Sequence, residues 1–266
     1  MSMKMKTLLA AGMVLIVSSL ALDPNLVAAF DTSKVIDLTY SFDSDTIYWP
    51  TEKPLQHEFE KFGSTEEGYF YSSGKFAAPE HGGTHMDAPI HFNKTGIYAD
   101  QVPLANCIGP AAVIDFSARA AKDPDATLSV DDIKAYEEQY GRIADGAIVV
   151  ARSGWGKFWP DKKRYLGTDK PGDVTDLHFP GYSPQAAEWM VKNRNLAAIA
   201  IDTASMDPGV SKSFKVHQIW LGANKPGFEN IANADKLPPK GATIFCIPMK
   251  LGKGTGGPTR AFAVMP

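Results

Sequence analysis

Along the chain, short apolar runs bounded by Gly, Pro and Asp alternate with longer amphipathic stretches, and this order predicts the elements. The run VIDLTYSF (residues 35–42) alternates as a strand does, and DSDTIYWPTEKP after it is loop-like. AAVIDFS (111–117), behind Gly109-Pro110, predicts a second strand. LSVDDIKAYEEQYGRI (128–143) predicts a helix with Ser129 as N-cap, acids in its first turn and Gly141 at its end. GAIVVARSGW (146–155) returns to a buried strand. SPQAAEWMVKNRN predicts a helix capped by Ser183 with Pro184 at its first position, and LAAIAIDTAS (196–205) a strand running into a polar loop. GATIFCIPMKL (241–251) and TRAFAVMP (259–266) predict closing strands. Helices and strands alternate in the middle while strands cluster at both ends, which predicts an α/β domain with a mixed sheet.

The first segment has a different pattern. Lys4 and Lys6 precede an apolar run from Leu8 to Leu22, followed by Asp23-Pro24 and the small pair Ala28-Ala29. This is the order of a secretory signal peptide, and the apolar run is short for a bilayer core of about 30 Å. The expectation is a signal peptide over residues 1–29, a single domain over residues 30–266, and a periplasmic or secreted protein.

Composition narrows the function. With 266 residues, 44% of them hydrophobic, the chain can bury one sizeable core. A net charge of -3 supplies no basic field for nucleic acid. The two cysteines, Cys107 and Cys246, permit one disulfide in an oxidising compartment, and neither has a zinc or redox spacing. With no GxSxG elbow present, covalent catalysis is the weaker reading.

Chemistry concentrates in HGGTHMDAPIHF, beginning at His81, where half of the six histidines fall. His81, His85, Asp87 and His91 all have odd numbers, so an extended chain points them to one side. A straight strand would set His81 and His85 roughly 13 Å apart, too far to share an ion, so the chain must bend at Gly82-Gly83. Two imidazoles and a carboxylate then suit a borderline divalent cation with positions open to water. Separately hydrogen-bonded histidines are the plainer alternative. A second pair, His217 and Glu229, is separated by Gly222 and Pro226-Gly227, which allow the chain to reverse and bring the two together. His57 and His178 are expected to be structural. Trp49, Tyr69, Phe70, Tyr71 and Trp155 lie near these segments and are candidates for a substrate wall, with Trp49 and Trp155 the leading pair.

The stretch from His81 to His91 resembles the HxGTHxDxPxH signature of the cyclase family, which includes bacterial kynurenine formamidase and isatin hydrolase. The resemblance extends through Trp49-Pro50, ARSGW, IDTASMDPG, His217 with Glu229-Asn230, and a late Gly-Pro-Thr-Arg segment. It implies a swivelling β/β/α fold, a homo-oligomer (dimer or tetramer), and a metal-dependent hydrolase of amides, strained ring amides or lactones. By matching position, His81, His85 and Asp87 look like ligands of a first ion. His217 and Glu229 look like ligands of a second, with Asp87 bridging. His91 aligns with the catalytic histidine. Kynurenine formamidases use a zinc pair and isatin hydrolase uses manganese, so the resemblance implies one or two ions of Zn2+ or Mn2+. The expected substrate is a small aromatic or cyclic amide. The rival reading is a non-catalytic, metal-stabilised exported binding protein.

His91 is also assigned by distance. Four residues past Asp87 on an extended chain, with no glycine between, it is expected roughly 13 Å too far along to join the inner ligands. That leaves it the role of proton carrier.

Overall fold

The computed structural model describes residues 31–266 and has twelve strands, of which those at the centre of the main sheet form where apolar runs are buried on both faces. In chain order they are β1 (Val35–Asp37), β2 (Gln56–Ser64), β3 (Phe70–Ala77), β4 (His85–Asp87), β5 (Ile108–Asp115), β6 (Thr127–Leu128), β7 (Ile148–Arg152), β8 (Gly181–Tyr182), β9 (Ala198–Ile201), β10 (Gly227–Glu229), β11 (Thr243–Pro248) and β12 (Gly256–Val264). The helices are α1 (Ser117–Ala120), α2 (Val130–Tyr140), α3 (Lys162–Leu166), α4 (Pro184–Asn193) and α5 (Lys215–Gly222). Residues 33–266 make up one compact unit. The expected signal peptide, residues 1–29, lies outside the described residues.

The main sheet runs β1-β12-β11-β5-β7-β9-β10-β4, and β12 also pairs with β4, which closes it into a barrel-like ring. The centre, β5-β7-β9-β10, is parallel, with crossovers through α2, α4 and α5. Alternation within each strand divides its side chains between two cores. Ala112, Ile114, Val149, Ala151, Ile199 and Ile201 pack with Ile133 of α2, Met190 of α4 and Trp220 of α5. Ala111, Val113, Ile148, Val150, Ala198 and Ala200 turn the other way, onto Met86, Phe228, Ile244, Cys246 and Ala261. Strands buried on both faces read as unbroken apolar runs, which is why these were legible. Each Val or Ile so buried stabilises the fold by about 1.5–3 kcal/mol.

Both capped helices form as expected. Ser129 accepts from the Asp132 N–H while the Asp132 carboxylate takes the Ser129 N–H, and Gly141 ends α2 at φ 87°. Ser183 caps α4 by accepting from the Ala186 N–H, ahead of Pro184.

Two boundaries and one whole element stand out against expectation. β1 stops at Asp37 because the Thr39 side chain then takes over the pairing: its hydroxyl donates to Ala261 O at 2.8 Å and accepts from Ala261 N at 2.7 Å. β12 begins at Gly256, three residues before the expected Thr259, since residues 256–258 pair with β4. A Cβ at Gly256 would lie 2.4 Å from Met86 O, so only glycine lets the two backbones meet. The hairpin β2–β3 was not anticipated at all; it stands as a separate two-stranded sheet. Cys107, just ahead of β5, and Cys246 on β11 are free, buried thiols, with Cys246 N–H donating to Cys107 O at 2.8 Å.

Candidate active site

The site opens at the carboxyl ends of β9 and β10, where β4 meets them. It is built first by the glycine bend. Gly83 adopts φ +57°, in the left-handed region that favours glycine, and a Cβ at Gly82 would lie 2.0 Å from the Tyr48 ring. The turn brings the His81 and His85 rings to 5.4 Å between centroids, far inside the straight-strand spacing. On β4, Met86 points into the core while His85 and Asp87 point into the site, as odd numbering predicted.

The bend between Asp87 and His91, which the sequence appeared to lack, exists. Pro89–His91 forms a 3-10 turn, with His91 N–H donating to Ala88 O at 2.9 Å. Proline at the first position has its φ preset for such a turn and gives up an N–H that would have no partner there. His91 therefore stacks on His81 at 3.9 Å, and donor atoms of His81, Asp87 and His91 lie within 4.8 Å of one another. The argument that distance excludes His91 from the inner group is overturned.

The second pair arrives by strand pairing. α5 carries His217 and ends at Gly222, the chain reverses, and β10 lies antiparallel to β4 with Glu229 opposite His85. Asp87 is the hub: Oδ1 lies 2.7 Å from His81 Nδ1 and 3.2 Å from His85 Nε2, and Oδ2 lies 3.1 Å from His217 Nε2. Glu229 stands across from it, with Oε2 3.4 Å from His85 Nε2 and Oε1 3.3 Å from His217 Nε2. The six residues expected to bind metal or carry the proton are thus brought together, and the two groups with ligand atoms within 4.8 Å of one another are His81–Asp87–His91 and His85–Asp87–Glu229.

Outer partners aim these rings. His85 Nδ1 lies 3.0 Å from Gly83 O, which turns Nε2 inward. His217 Nδ1 lies 2.7 Å from Asp207 Oδ2, with the same result. His81 Nε2 lies 2.8 Å from Thr255 Oγ1, which in turn donates to Glu80. Asn230 donates from Nδ2 to Gly83 O and so ties the bend to the end of β10.

Charge explains why a cation fits. Burial alone would push the Asp87 carboxyl up, but the charge of His81 and hydrogen bonds from His217, His81 and His85 hold it well below the usual carboxylate range. Burial and then the neighbouring Asp87 charge push Glu229 up. Burial would push the His217 imidazole down, yet Asp207, Asp87 and Glu229 hold it well above its usual value. Asp87 Oδ2 is buried, and its one close imidazole contact, His217 Nε2 at 3.1 Å, is poorly aligned for a hydrogen bond. Two buried carboxylates with imidazole nitrogens converging on them, and one oxygen without an aligned donor, are the donor set of a divalent-cation site.

Beside these groups lies a cavity of about 430 Å³ walled by Ile47, Tyr48, Trp49, Phe92 and Phe214. Trp49 and Phe214 meet at 5.9 Å between ring centroids. Trp155, expected on this wall, is instead buried beneath it: it packs with Ile47, Tyr165 and Phe179 and donates from Nε1 to Tyr165 O. Tyr69, Phe70 and Tyr71 are on or beside the hairpin and exposed, away from the cavity lining. His57 lies on β2, and His178 pairs with Asp125 at 2.9 Å; neither lines the cavity. Sequence reasoning missed Phe92, Phe214 and Asp207. Asp207 lay in the IDTASMDPG run, but nothing in its spacing tied it to His217.

Residues 36–208 match the Putative cyclase family. The chain belongs to the cyclase family. This cyclase-family chain is 34% identical over 224 residues to isatin hydrolase of Roseibium aggregatum, covering 81% of this chain and 82% of that protein. To kynurenine formamidase of Salinibacter ruber it is 24% identical over 230 residues, covering 85% and 95%. Its fold matches an isatin hydrolase bound to the product analogue thioisatinate, with a TM-score of 0.80 at 31% identity over 88% of this chain and 92% of that one. Isatin hydrolase A from Ralstonia solanacearum matches with a TM-score of 0.79 at 31% identity, over 87% and 92%. The family membership makes the chain an amidohydrolase acting on C–N bonds and displaces the reading of a non-catalytic binding protein.

Proposed function

We propose that this amidohydrolase opens the C–N bond of a neutral aromatic cyclic amide, isatin or a close analogue, with a linear aryl formamide as the second substrate. The observation that carries the choice is the cavity wall. Trp49, Phe92 and Phe214 offer aromatic faces to a flat ring, and among the described residues no lysine or arginine lines the cavity to hold the carboxylate of an amino-acid substrate.

His81, His85, Asp87, His217 and Glu229 would hold a divalent cation, Zn2+ or Mn2+ and one ion or two, which when bound would lower the pKa of a water and polarise the carbonyl. The chain does the rest. The aromatic walls orient the ring and exclude bulk water. Burial is the main cause that pushes His91 down to about 4; the Asp87 charge opposes it and His81, His217 and His85 add to it, so the ring is neutral at physiological pH. His91 takes the proton that water releases and passes it to the departing nitrogen. Water thereby adds to the carbonyl carbon and the C–N bond breaks. A cyclic amide opens to a single molecule bearing both an aryl amine and a carboxylate, and an aryl formamide gives an aryl amine and formate, the acid proton passing to solvent.

The swivelling β/β/α description, export to the periplasm or medium, and assembly as a homo-oligomer belong to the same reading. The test is hydrolysis by metal-loaded protein of isatin and N-formylkynurenine side by side, with apoprotein as control. We expect kcat/KM for isatin to be the larger by at least about tenfold. A preference for N-formylkynurenine would overturn the choice of substrate, and inactivity of every metal-loaded form on both would overturn the reaction.

A further inference from the structure

His85 and His217 have their Nδ1 atoms engaged from outside the site, by Gly83 O and by Asp207, and so turn Nε2 inward. His81 is reversed: its Nδ1 lies 2.7 Å from Asp87 Oδ1, and its Nε2 faces away, 2.8 Å from Thr255 Oγ1. A ring flipped by half a turn would set carbon against both partners, so these contacts fix its orientation. The hydrogens then follow along the chain of contacts. Thr255 has one hydroxyl hydrogen and donates it to Glu80 Oε2 at 2.6 Å. The same oxygen accepts the Thr255 N–H at 2.6 Å and the Gly256 N–H at 3.2 Å. With its hydrogen spent, Thr255 Oγ1 can only accept from His81, which must carry a hydrogen on Nε2. In the neutral ring that leaves a lone pair on Nδ1 facing a carboxylate oxygen at 2.7 Å. Two such acceptors repel unless a proton or a cation joins them.

We propose that Thr255, backed by Glu80, is a positioning residue that keeps the hydrogen of His81 on Nε2 and so makes Nδ1 the metal-binding atom of that residue, the reverse of His85 and His217. The proposal rests on the metal-dependent reading above. Local structure shows why such a hold is needed: His81 precedes the Gly82-Gly83 turn and lies outside β4, so no strand pairing fixes its ring. The hold comes from the far end of the chain. Gly256 pairs opposite Asp87, and Thr255 O accepts the Ala88 N–H at 2.9 Å, which anchors the hydroxyl beside the presumptive ligands. A Cβ at Gly256 would lie 2.6 Å from His81 Cε1, so the glycine lets the ring reach Thr255. Glu80 in turn ties residues 255 and 256 to the residue next to His81 through three hydrogen bonds on one oxygen. The His91 ring stacks on His81 at 3.9 Å, so the same contact also steadies the proton carrier.

Thr255→Val tests this, because valine keeps the shape and both backbone hydrogen bonds to Glu80 and loses only the hydroxyl. Calorimetric titration of Zn2+ into apoprotein should show Thr255→Val binding about 10- to 100-fold more weakly than wild type, and Thr255→Ser restoring the affinity to within about threefold. The melting temperatures of the three apoproteins should agree closely. Long-range 1H–15N correlation on Zn2+-loaded wild type labelled at histidine gives a second readout: one metal-bound histidine should carry its hydrogen on Nε2, beside two that carry it on Nδ1. Equal affinity in Thr255→Val and wild type overturns the proposal, as does a hydrogen on Nδ1 in every metal-bound histidine. A lowered apoprotein melting temperature with unchanged affinity makes Thr255 merely structural and overturns it too. Wild type that binds neither Zn2+ nor Mn2+ would bring down the metal-dependent reading and this proposal with it, a failure distinct from the others.

Discussion

Asp207 grips His217 by both ring and backbone: its Oδ2 lies 2.7 Å from the ring Nδ1 and accepts the His217 N–H at 3.0 Å. Its Oδ1 accepts from Val216 N and Ser211 Oγ, so one buried carboxylate caps the first turn of α5 and sets the tautomer of the imidazole. Asp207→Asn keeps the size of the side chain and loses the charge. It is expected to weaken divalent-ion binding by about 10- to 100-fold while leaving the fold intact. Calorimetric titration of metal into apoprotein checks it, and an unchanged affinity would remove Asp207 from the site.

Asp87 contacts three imidazoles and Glu229 two, so Asp87→Ala should strip metal more thoroughly than Glu229→Ala. Elemental analysis of the two purified variants decides this. Loss of one ion of two in Glu229→Ala would support a binuclear centre, and wild-type metal content in Asp87→Ala would refute the assignment.

His91 stands on the inner side of the site after all, stacked on His81, and its proposed work is proton transfer. His91→Ala should retain its metal and lose about 10²- to 10⁴-fold in kcat. If metal leaves together with activity, His91 is a ligand.

The two tryptophans should separate cleanly. Trp49→Ala, on the cavity wall, should lower kcat/KM for an aromatic substrate by about tenfold or more with little change in melting temperature. Trp155→Ala, beneath it, should lose about 3–5 kcal/mol of stability, read by chemical denaturation. The reverse pattern would exchange their roles.

Far from the site, Glu137 accepts from Arg194 Nε at 2.6 Å, from Arg194 Nη2 and from Ile143 N at 2.9 Å. The Arg194 hydrogen bond, ahead of the other contacts, holds the Glu137 carboxyl below its usual value. A folded-state pKa below the unfolded one stabilises above the unfolded value of about 4.3, and that contribution is lost as pH falls through the folded value. Glu137→Gln should therefore be less stable by about 1–3 kcal/mol at pH 7, with the gap to wild type closing below about pH 4. A gap that stays constant from pH 7 to pH 3 would contradict the linkage.

Several features are set by neighbours in the chain and were legible for that reason. Ser129 and Ser183 cap helices through atoms three residues on, Gly83 bends where a side chain would resist, and the alternation of His85, Met86 and Asp87 follows from the pleat of a strand. The ligand types and their common side could thus be read from residues 81–91. Tertiary structure decided the rest. That Glu229 lies opposite His85, that β12 closes the ring through Gly256–Pro258, that Asp207 reaches His217, and that Trp49 faces the cavity while Trp155 lies under it all depend on which strands become neighbours. Strand partners are chosen by the packing of the whole core across long loops, a sum over many distant residues that no local spacing records. The turn at Pro89–His91 falls between the two. Its proline was visible, but a proline that stiffens an extended chain and one that opens a 3-10 turn look the same until the surrounding fold selects between them.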